Sequence, residues 1–359
     1  MKPSRIALFA AGMALGLAAS TAAEARNYRL TVAAGQPTRA LANLGLVEKF
    51  FVPEIEKRIK AAGLKDSVQF RQAYAGTLLK PRAVLLGVQD GIADIGYEPT
   101  LFHPDKLPLE QVSFAVPFCT DDVLKVSKAI DHLHATIPEM RAQYDKFKVE
   151  RLSGGSFDTY QFFTSFKAEK LEDLKGHKLG STGAILQWLR LPGVTSVDSN
   201  MMEYYNSTKT GVYDGFIIFY SAAPAMKYPE AAPFVQDVNF GAMYAAALIA
   251  NKSSMSRLPK EIQKIIRDVA KEWGPAGDKA YADAGASGLA KSKQMFKNAT
   301  FIKWSDAERK KWAMAMPNIA KEWAERTDKA GQPGTKVLKA YMDSLRRQGV
   351  NCLRQWDKE

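Results

Sequence analysis

The side chains of this chain that could do chemistry are scattered, and no group of them is spaced for catalysis. Gly154-Gly155-Ser156-Phe157-Asp158 comes nearest to a G-x-S-x-G nucleophile elbow but lacks the closing glycine. The sequence holds no H-E-x-x-H, EF-hand loop, P-loop or G-x-G-x-x-G. His132 and His134 stand two apart, so on a helix they point in different directions and make a poor metal pair. Asp121-Asp122 reads as the N-cap and first turn of a helix, not as an acid–base couple. Neither a metal nor a cofactor is expected. An enzyme stays a rival reading, because triads are assembled from distant positions. The residues that remain suit non-covalent recognition. Gln36 follows a first predicted strand, and Tyr74, Tyr97 and Glu98 lie at the ends of the next two. Thr159, Gln161 and Trp188 are candidates from the second half, and Phe216, Ile218, Phe219 and Tyr220 close a later strand. Alternation along 216–220 must turn some of these side chains into the core.

The elements that would position them follow one grammar twice. Tyr28 to Ala34 alternates as a half-buried strand, and Gly35-Gln36-Pro37-Thr38 ends it, with Thr38 as an N-cap. A helix to about Ala62 carries Leu44, Val47, Phe51, Ile55 and Ile59 at helical spacing and stops at Gly63. A strand over Val68 to Tyr74, a helix over Arg82 to Gln89 and a strand over Ile92 to Tyr97 complete β-α-β-α-β, which implies a parallel sheet. The order recurs as strand His177–Ser181, helix Ala184–Arg190, strand Val194–Val197, helix Met201–Thr210 and strand Val212–Phe219. Two such sheets facing each other make a cleft at the C-terminal ends of their strands, where ligands sit in open parallel sheets. From Leu258 the pattern is helical to about Phe296, with few breakers beyond Gly274 and Pro275. Ser305 to Glu308 is a capping box, and Trp312, Met316, Ile319 and Trp323 form one apolar stripe, read as core, with a kink expected at Pro317. A last amphipathic helix spans Thr335 to Gln348.

The 359 residues, 46% of them hydrophobic, allow one large or two ordinary domains with a true core. Lys2 and Arg5, the uncharged run Ile6–Ala19 and Ala23-Glu24-Ala25 read as a secretory leader over 1–25. Its removal takes away two cations and one anion, so the formal charge falls from +12 to +11. The expected place is the periplasm of a Gram-negative cell, where nucleic acid is not the partner that such charge serves. A positive surface there can draw in anionic ligands. Cys119 and Cys352 could pair in an oxidising compartment, but nothing local in the sequence decides it.

One segment is specific. Glu203-Tyr204-Tyr205-Asn206-Ser207-Thr208-Lys209-Thr210-Gly211-Val212-Tyr213-Asp214-Gly215 resembles the Glu-x-Tyr-x-Ala-Leu-Gln-x-Gly-x-x-Asp-Gly signature of the solute-binding proteins of tripartite ATP-independent periplasmic (TRAP) transporters. Ala75-Gly76-Thr77-Leu78, Gly87 to Ile95 and Leu171 to Gly176 resemble three further stretches of that family, and the resemblance runs from about Tyr28 to Lys321. It implies a periplasmic-binding-protein-like α/β fold of two lobes, with crossing strands and a long helix spanning both. The lobes would be 26–152 with about 240–285, and 153–239 with about 286–359. It implies no catalysis. A small-molecule solute would be captured in the cleft and delivered to the membrane permease subunits of a TRAP transporter. A sensory binding protein of the same fold is an alternative, which neighbouring permease genes would discriminate. A monomer is the default state.

The sequence departs from the family where most members, which bind organic acids, hold a carboxylate. Lys178-Leu179-Gly180-Ser181-Thr182 places Gly180 where the family usually has Arg, the residue best suited to a bidentate grip. The usual Asn after Asp-Gly is also replaced, in the run Phe216-Ile217-Ile218-Phe219-Tyr220, and Met201 stands where an aromatic is frequent. The cleft is therefore expected to be wider, drier and more aromatic, with Gly180 and Thr182 on its wall and a void at Gly180. Two ligand readings stay open. One is an organic acid with an apolar or aromatic body, not a simple C4-dicarboxylate, its carboxylate held by Arg39, Arg71, Arg82 or Arg190, or by hydroxyls and helix N-termini. The other is a neutral or cationic solute gripped by aromatics and Glu98.

Overall fold

The computed structural model describes residues 25–359. The leader read over 1–25 lies, apart from its last residue, outside them. Two sheets organise the chain. In the first, β1 (Asn27–Ala34) pairs in parallel with both β2 (Ser67–Ala73) and β3 (Ile95–Pro99). It is extended by β4 (Val149–Phe157) and β10 (Met243–Asn251) to the order β2-β1-β3-β10-β4. In the second, β6 (Lys178–Ser181) pairs in parallel with β7 (Thr195–Asp198) and β8 (Gly215–Phe219). With β5 (Tyr160–Thr164), β9 (Phe234–Asp237) and β11 (Thr300–Lys303) the order is β11-β9-β5-β8-β6-β7. Every residue of β3, β5 and β8 is buried, as expected of strands covered on both faces.

The chain passes between the sheets at 158–159, joining β4 to β5, and again at 238–242, joining β9 to β10. A third segment runs beside the second crossover: Phe118 N donates to Phe240 O at 2.6 Å, and Ala242 N donates to Thr120 O at 2.7 Å. The helix Lys260–Met295 lies along both lobes. At about 1.5 Å per residue its 36 residues reach about 54 Å. Trp273 Nε1 donates to Asn43 O at 2.9 Å in the first lobe. Further along, Gly288 meets the second lobe, where a Cβ would come within 2.8 Å of Tyr220 O. Only a residue without a side chain lets the two backbones approach so closely.

Local physics altered some expected elements. The helix expected from Thr38 is divided into a turn Thr38–Ala40, a helix Ala42–Leu46, a wide π segment Val47–Phe51 and a helix Val52–Ala61, and the Thr38 side chain caps nothing. Pro53 explains the wide turn, because its ring would clash with the carbonyl of residue 49 in tight α geometry. The kink expected at Pro317 is a full break. The helix Asp306–Ala315 ends, Met316 is extended, and Ile319–Lys329 restarts with the Asn318 side chain accepting from Lys321 N. A residue before proline avoids the helical region, so Met316 cannot continue the first helix. The stretch Ala184–Arg190 is a 3-10 segment Gly183–Leu189, and the helix expected over Met201–Thr210 is shortened to Tyr204–Lys209.

Cys119 and Cys352 are joined in a disulfide. It ties the C-terminal tail to the segment beside the second crossover, where Leu353 N also donates to Phe118 O at 3.1 Å. The C-terminal stretch touches both lobes. Trp312 packs edge-on against Phe162 and Phe240 near the second sheet, whereas the helix Gly334–Arg347 packs on Val123–Thr136 of the first lobe. Among the described residues no helix is long and apolar enough to cross a membrane.

Candidate functional site

A cavity of about 30 Å³ lies between the two sheets, where their strand ends meet. The first lobe supplies Gln36, Leu41, Pro99, Leu101 and Phe102; Phe157 and Tyr160 flank the first crossover; the second lobe supplies Thr182, Ile185, Met201, Tyr204, Ile218 and Phe219. The lobes meet beside it. Gly183, at φ +50, places its backbone so close to the carbonyl of Leu101 that a side chain there would collide. The space between the lobes has room for a water or two. Admission of a solute therefore requires the lobes to part, which the crossovers at 158–159 and 238–242 are placed to allow.

The walls are largely apolar and aromatic. Phe219 lies against Phe157, with ring centroids 4.9 Å apart, and against Tyr160 at 5.4 Å. The Tyr204 ring stacks on Phe216 at 4.6 Å. Two wall residues carry buried polar atoms without a well-formed hydrogen bond among the described residues: the Gln36 Oε1, and the Tyr204 hydroxyl, which lies beside Ser181. A buried polar group left in this state costs about 1–3 kcal/mol, so each is a standing demand for a partner. Burial pushes the Tyr204 hydroxyl well above the usual phenol range, which keeps it a neutral donor. An apolar concavity with a few convergent polar groups is the usual form of a small-molecule site.

A guanidinium stands at the edge of this cavity. Arg82 Nη2 donates to the two carboxylate oxygens of Asp198 at 2.9 and 3.1 Å, and reaches Thr182 Oγ1 at 3.5 Å. Its Cζ lies 5.0 Å from the centre of the Phe102 ring. None of the four arginines considered from sequence is on the wall itself: Arg82 reaches it through Thr182 and Phe102, and Arg190 pairs with Glu322.

Of the residues singled out from sequence, Gln36, Thr182, Met201, Ile218 and Phe219 come together on the wall. The others lie elsewhere. Tyr97 points away and donates its hydroxyl to Asn43 Oδ1 at 2.6 Å. Glu98 is fully buried with its Oε1 3.4 Å from His103 Nε2, and burial pushes its carboxyl well above the usual range. It is neither on the wall nor a ready anion. The Tyr74 hydroxyl donates to Gln72 Oε1 at 2.7 Å outside the cavity. Thr159 donates to Asn239 Oδ1 at 2.6 Å, and Gln161 Oε1 accepts from Asn239 N at 2.7 Å, so both brace the crossovers. Trp188 is a buried core residue whose Nε1 donates to Phe114 O at 2.7 Å. Phe216 stacks on Phe163 at 5.7 Å, and Tyr220 meets the same ring edge-on at 6.5 Å, so both pack into the second lobe and lie off the wall. Gly180 borders no void. A Cβ there would lie 2.9 Å from ring carbons of Tyr213, so that ring fills the expected space.

The wall residues that sequence reasoning missed are informative. Phe157 and Tyr160 sit at the two ends of a crossover, and applying the strand-end rule to crossing strands would have found them. Tyr204 opens the helix after β7, inside the very segment that carries the family signature.

Two buried aspartates lie behind the site, where the crossover meets the long helix. Asp158 accepts from Ser221 N at 3.1 Å and from Ser221 Oγ at 2.6 Å, and Asp278 accepts from Ser156 N at 2.8 Å. Burial pushes each carboxyl up to about 7. No group of three or more His, Cys, Asp or Glu suited to a metal occurs among the described residues.

Comparison with known proteins gives this geometry a family. The family model described as bacterial extracellular solute-binding protein, family 7 (DctP), matches residues 51–327. Among solved structures, a TRAP periplasmic solute-binding protein from Desulfovibrio salexigens is 24% identical with a TM-score of 0.73, over 89% of this chain and 96% of that one. DctP7 of Bordetella pertussis, an extracytoplasmic solute receptor binding pyroglutamic acid, is 20% identical with a TM-score of 0.75, over 87% and 99%. A TRAP solute-binding protein from Rhodoferax ferrireducens, in complex with copurified benzoate, is 18% identical with a TM-score of 0.74, over 89% and 98%. At these identities the likeness is one of fold: two α/β lobes around a cleft.

Proposed function

Because the chain belongs to the bacterial extracellular solute-binding proteins of family 7, the DctP family of TRAP receptors, we propose that it captures a small organic acid with an apolar or aromatic body. It releases that acid unaltered to the membrane permease of a TRAP-type secondary transporter. The observation that carries this reading is the cavity itself: ring-bearing walls between two lobes, with Gln36 and Tyr204 among them carrying buried polar atoms that lack a well-formed hydrogen bond. Benzoate and pyroglutamic acid, bound by two proteins of the same fold, are monocarboxylates with compact bodies. In this mechanism the lobes divide at the crossovers 158–159 and 238–242, which keeps the whole of β4 (Val149–Phe157) in the first lobe instead of splitting it at 152/153. The leader read over 1–25 supports a periplasmic site of action, and one copy of the chain suffices to form the cleft. A cationic solute held by Glu98 has little support, since Glu98 is off the wall.

The test is a thermal-shift screen of the mature protein against aromatic monocarboxylates, aliphatic acids, C4-dicarboxylates, and neutral and amine solutes. A ligand at a hundredfold excess over its dissociation constant adds about 2.7 kcal/mol of stability. The largest shift is expected from an aromatic or compact apolar monocarboxylate. A largest shift from a C4-dicarboxylate or an amine, or turnover of any bound compound, overturns the proposal. Delivery is tested by uptake of the bound acid into vesicles carrying the permease, with and without this protein.

A further inference from the structure

We propose that Arg82 is the group that takes the solute carboxylate, and that Asp198 occupies it until the solute arrives. The inference rests on the acid reading above and assigns the contact that reading leaves open. Gly180 cannot supply a cation, and the Tyr213 ring fills the space beside it. Arg82 comes from the opposite lobe, on the turn Pro81–Ala83. It touches two wall residues, Thr182 through its Nη2 and Phe102 through its guanidinium face, while reaching across the lobes to Asp198 at the end of β7.

The form of this ion pair suits exchange. Only Nη2 of the guanidinium donates to a protein acceptor among the described residues, so the two-nitrogen fork that matches a carboxylate is not engaged. The side chains are 46% and 55% exposed for Arg82 and Asp198. A pair this wet is held weakly and is screened by salt. A solute carboxylate in the drier cavity mouth would meet the same cation in a lower dielectric, with Thr182 Oγ1 beside it as a donor. Asp198, displaced, returns to water at little cost because it is already half in water. The exchange is thus biased toward the solute only when its apolar body also fills the cavity, which couples recognition of the acid to recognition of the body.

The experiment measures binding of benzoate, phenylacetate and pyroglutamate, and of their uncharged amides, to wild type, Arg82→Gln and Asp198→Asn. Loss of a charge-assisted contact predicts acids bound about 10–100-fold more weakly by Arg82→Gln. Its affinity for the amides should change by less than about threefold. Asp198→Asn removes the competitor and should tighten acids by about two- to fivefold, the range set by an exposed ion pair. If the pair is only a latch holding the lobes shut, both variants weaken acids and amides alike, and the inference falls. Wild-type acid binding left intact by Arg82→Gln also overturns it, without touching the proposed function. Failure of wild type to bind any monocarboxylate overturns both. Both positions are half exposed, so the variants are expected to fold, and melting without ligand verifies it.

Discussion

At the scale of single residues, the site is defined by groups whose demands are unmet. The Tyr204 hydroxyl is buried without a well-formed hydrogen bond, yet its ring is held by Phe216 and Tyr228. Tyr204→Phe keeps that packing and removes the dissatisfied group. Melting of the ligand-free protein is therefore expected to be unchanged or higher, by up to about 1 kcal/mol, while solute affinity falls roughly tenfold. A structural hydroxyl would move both readouts downward. Melting curves and titration calorimetry on one preparation separate the cases. Gly180 shows how far residue identity alone can be read. The missing guanidinium was legible, because a glycine has no donor. The void was not, because filling it depends on Tyr213, a residue 33 positions later in the chain.

Among elements, the junction of the first crossover with the long helix governs the pH response. Asp278 on the helix Lys260–Met295 accepts from Ser156 N on β4, and burial raises its carboxyl from 3.8 to about 7. Above pH 3.8 the unfolded chain loses this proton while the folded protein keeps it. The stabilisation present at low pH is thus lost progressively up to about pH 7. Asp278→Asn preserves an acceptor for Ser156 N and carries no charge. Its melting temperature should hold steadier than that of wild type between pH 5 and 7.5, with a gain near pH 7.5 on the order of 1–3 kcal/mol. Parallel melting profiles for the two proteins contradict this. Element boundaries were harder to foresee than element types. Strand, turn and helix followed period and breakers, but the π segment Val47–Phe51 and the break at Pro317 depend on one proline each meeting its own local backbone.

On the scale of the whole molecule, the C-terminal tail fastens the lobes around their crossovers. The disulfide spans 233 residues of sequence and joins the tail to the segment whose backbone bonds run to Phe240 and Ala242. Trp356 adds a buried anchor, its Nε1 donating to Pro117 O at 2.9 Å. Closing so long a loop removes freedom mainly from the unfolded chain. Cys352→Ser, or reduction, is expected to lower unfolding stability by about 2–4 kcal/mol. Denaturant melts with and without reductant measure this. An unchanged midpoint places the tail outside the cooperative unit.

Periodicity, breakers and one signature segment were enough to determine two α/β lobes, a long helix and membership of a solute-binding family, because each is written in residues near one another in the chain. The cavity wall belongs to another kind of information. Leu41, Phe102, Phe157, Tyr160, Ile185 and Tyr204 become neighbours only when the strand ends of the two sheets are brought together, and Arg82 faces Asp198 only across that join. Strand alternation leaves open which of Phe216, Ile218 and Phe219 turns toward the cleft, since all three are apolar and both faces of β8 are buried. The tertiary structure decides it by position along the strand: the Phe163 and Tyr204 rings cover Phe216, whereas Ile218 and Phe219, on opposite faces at the C-terminal end of β8, both reach the cavity.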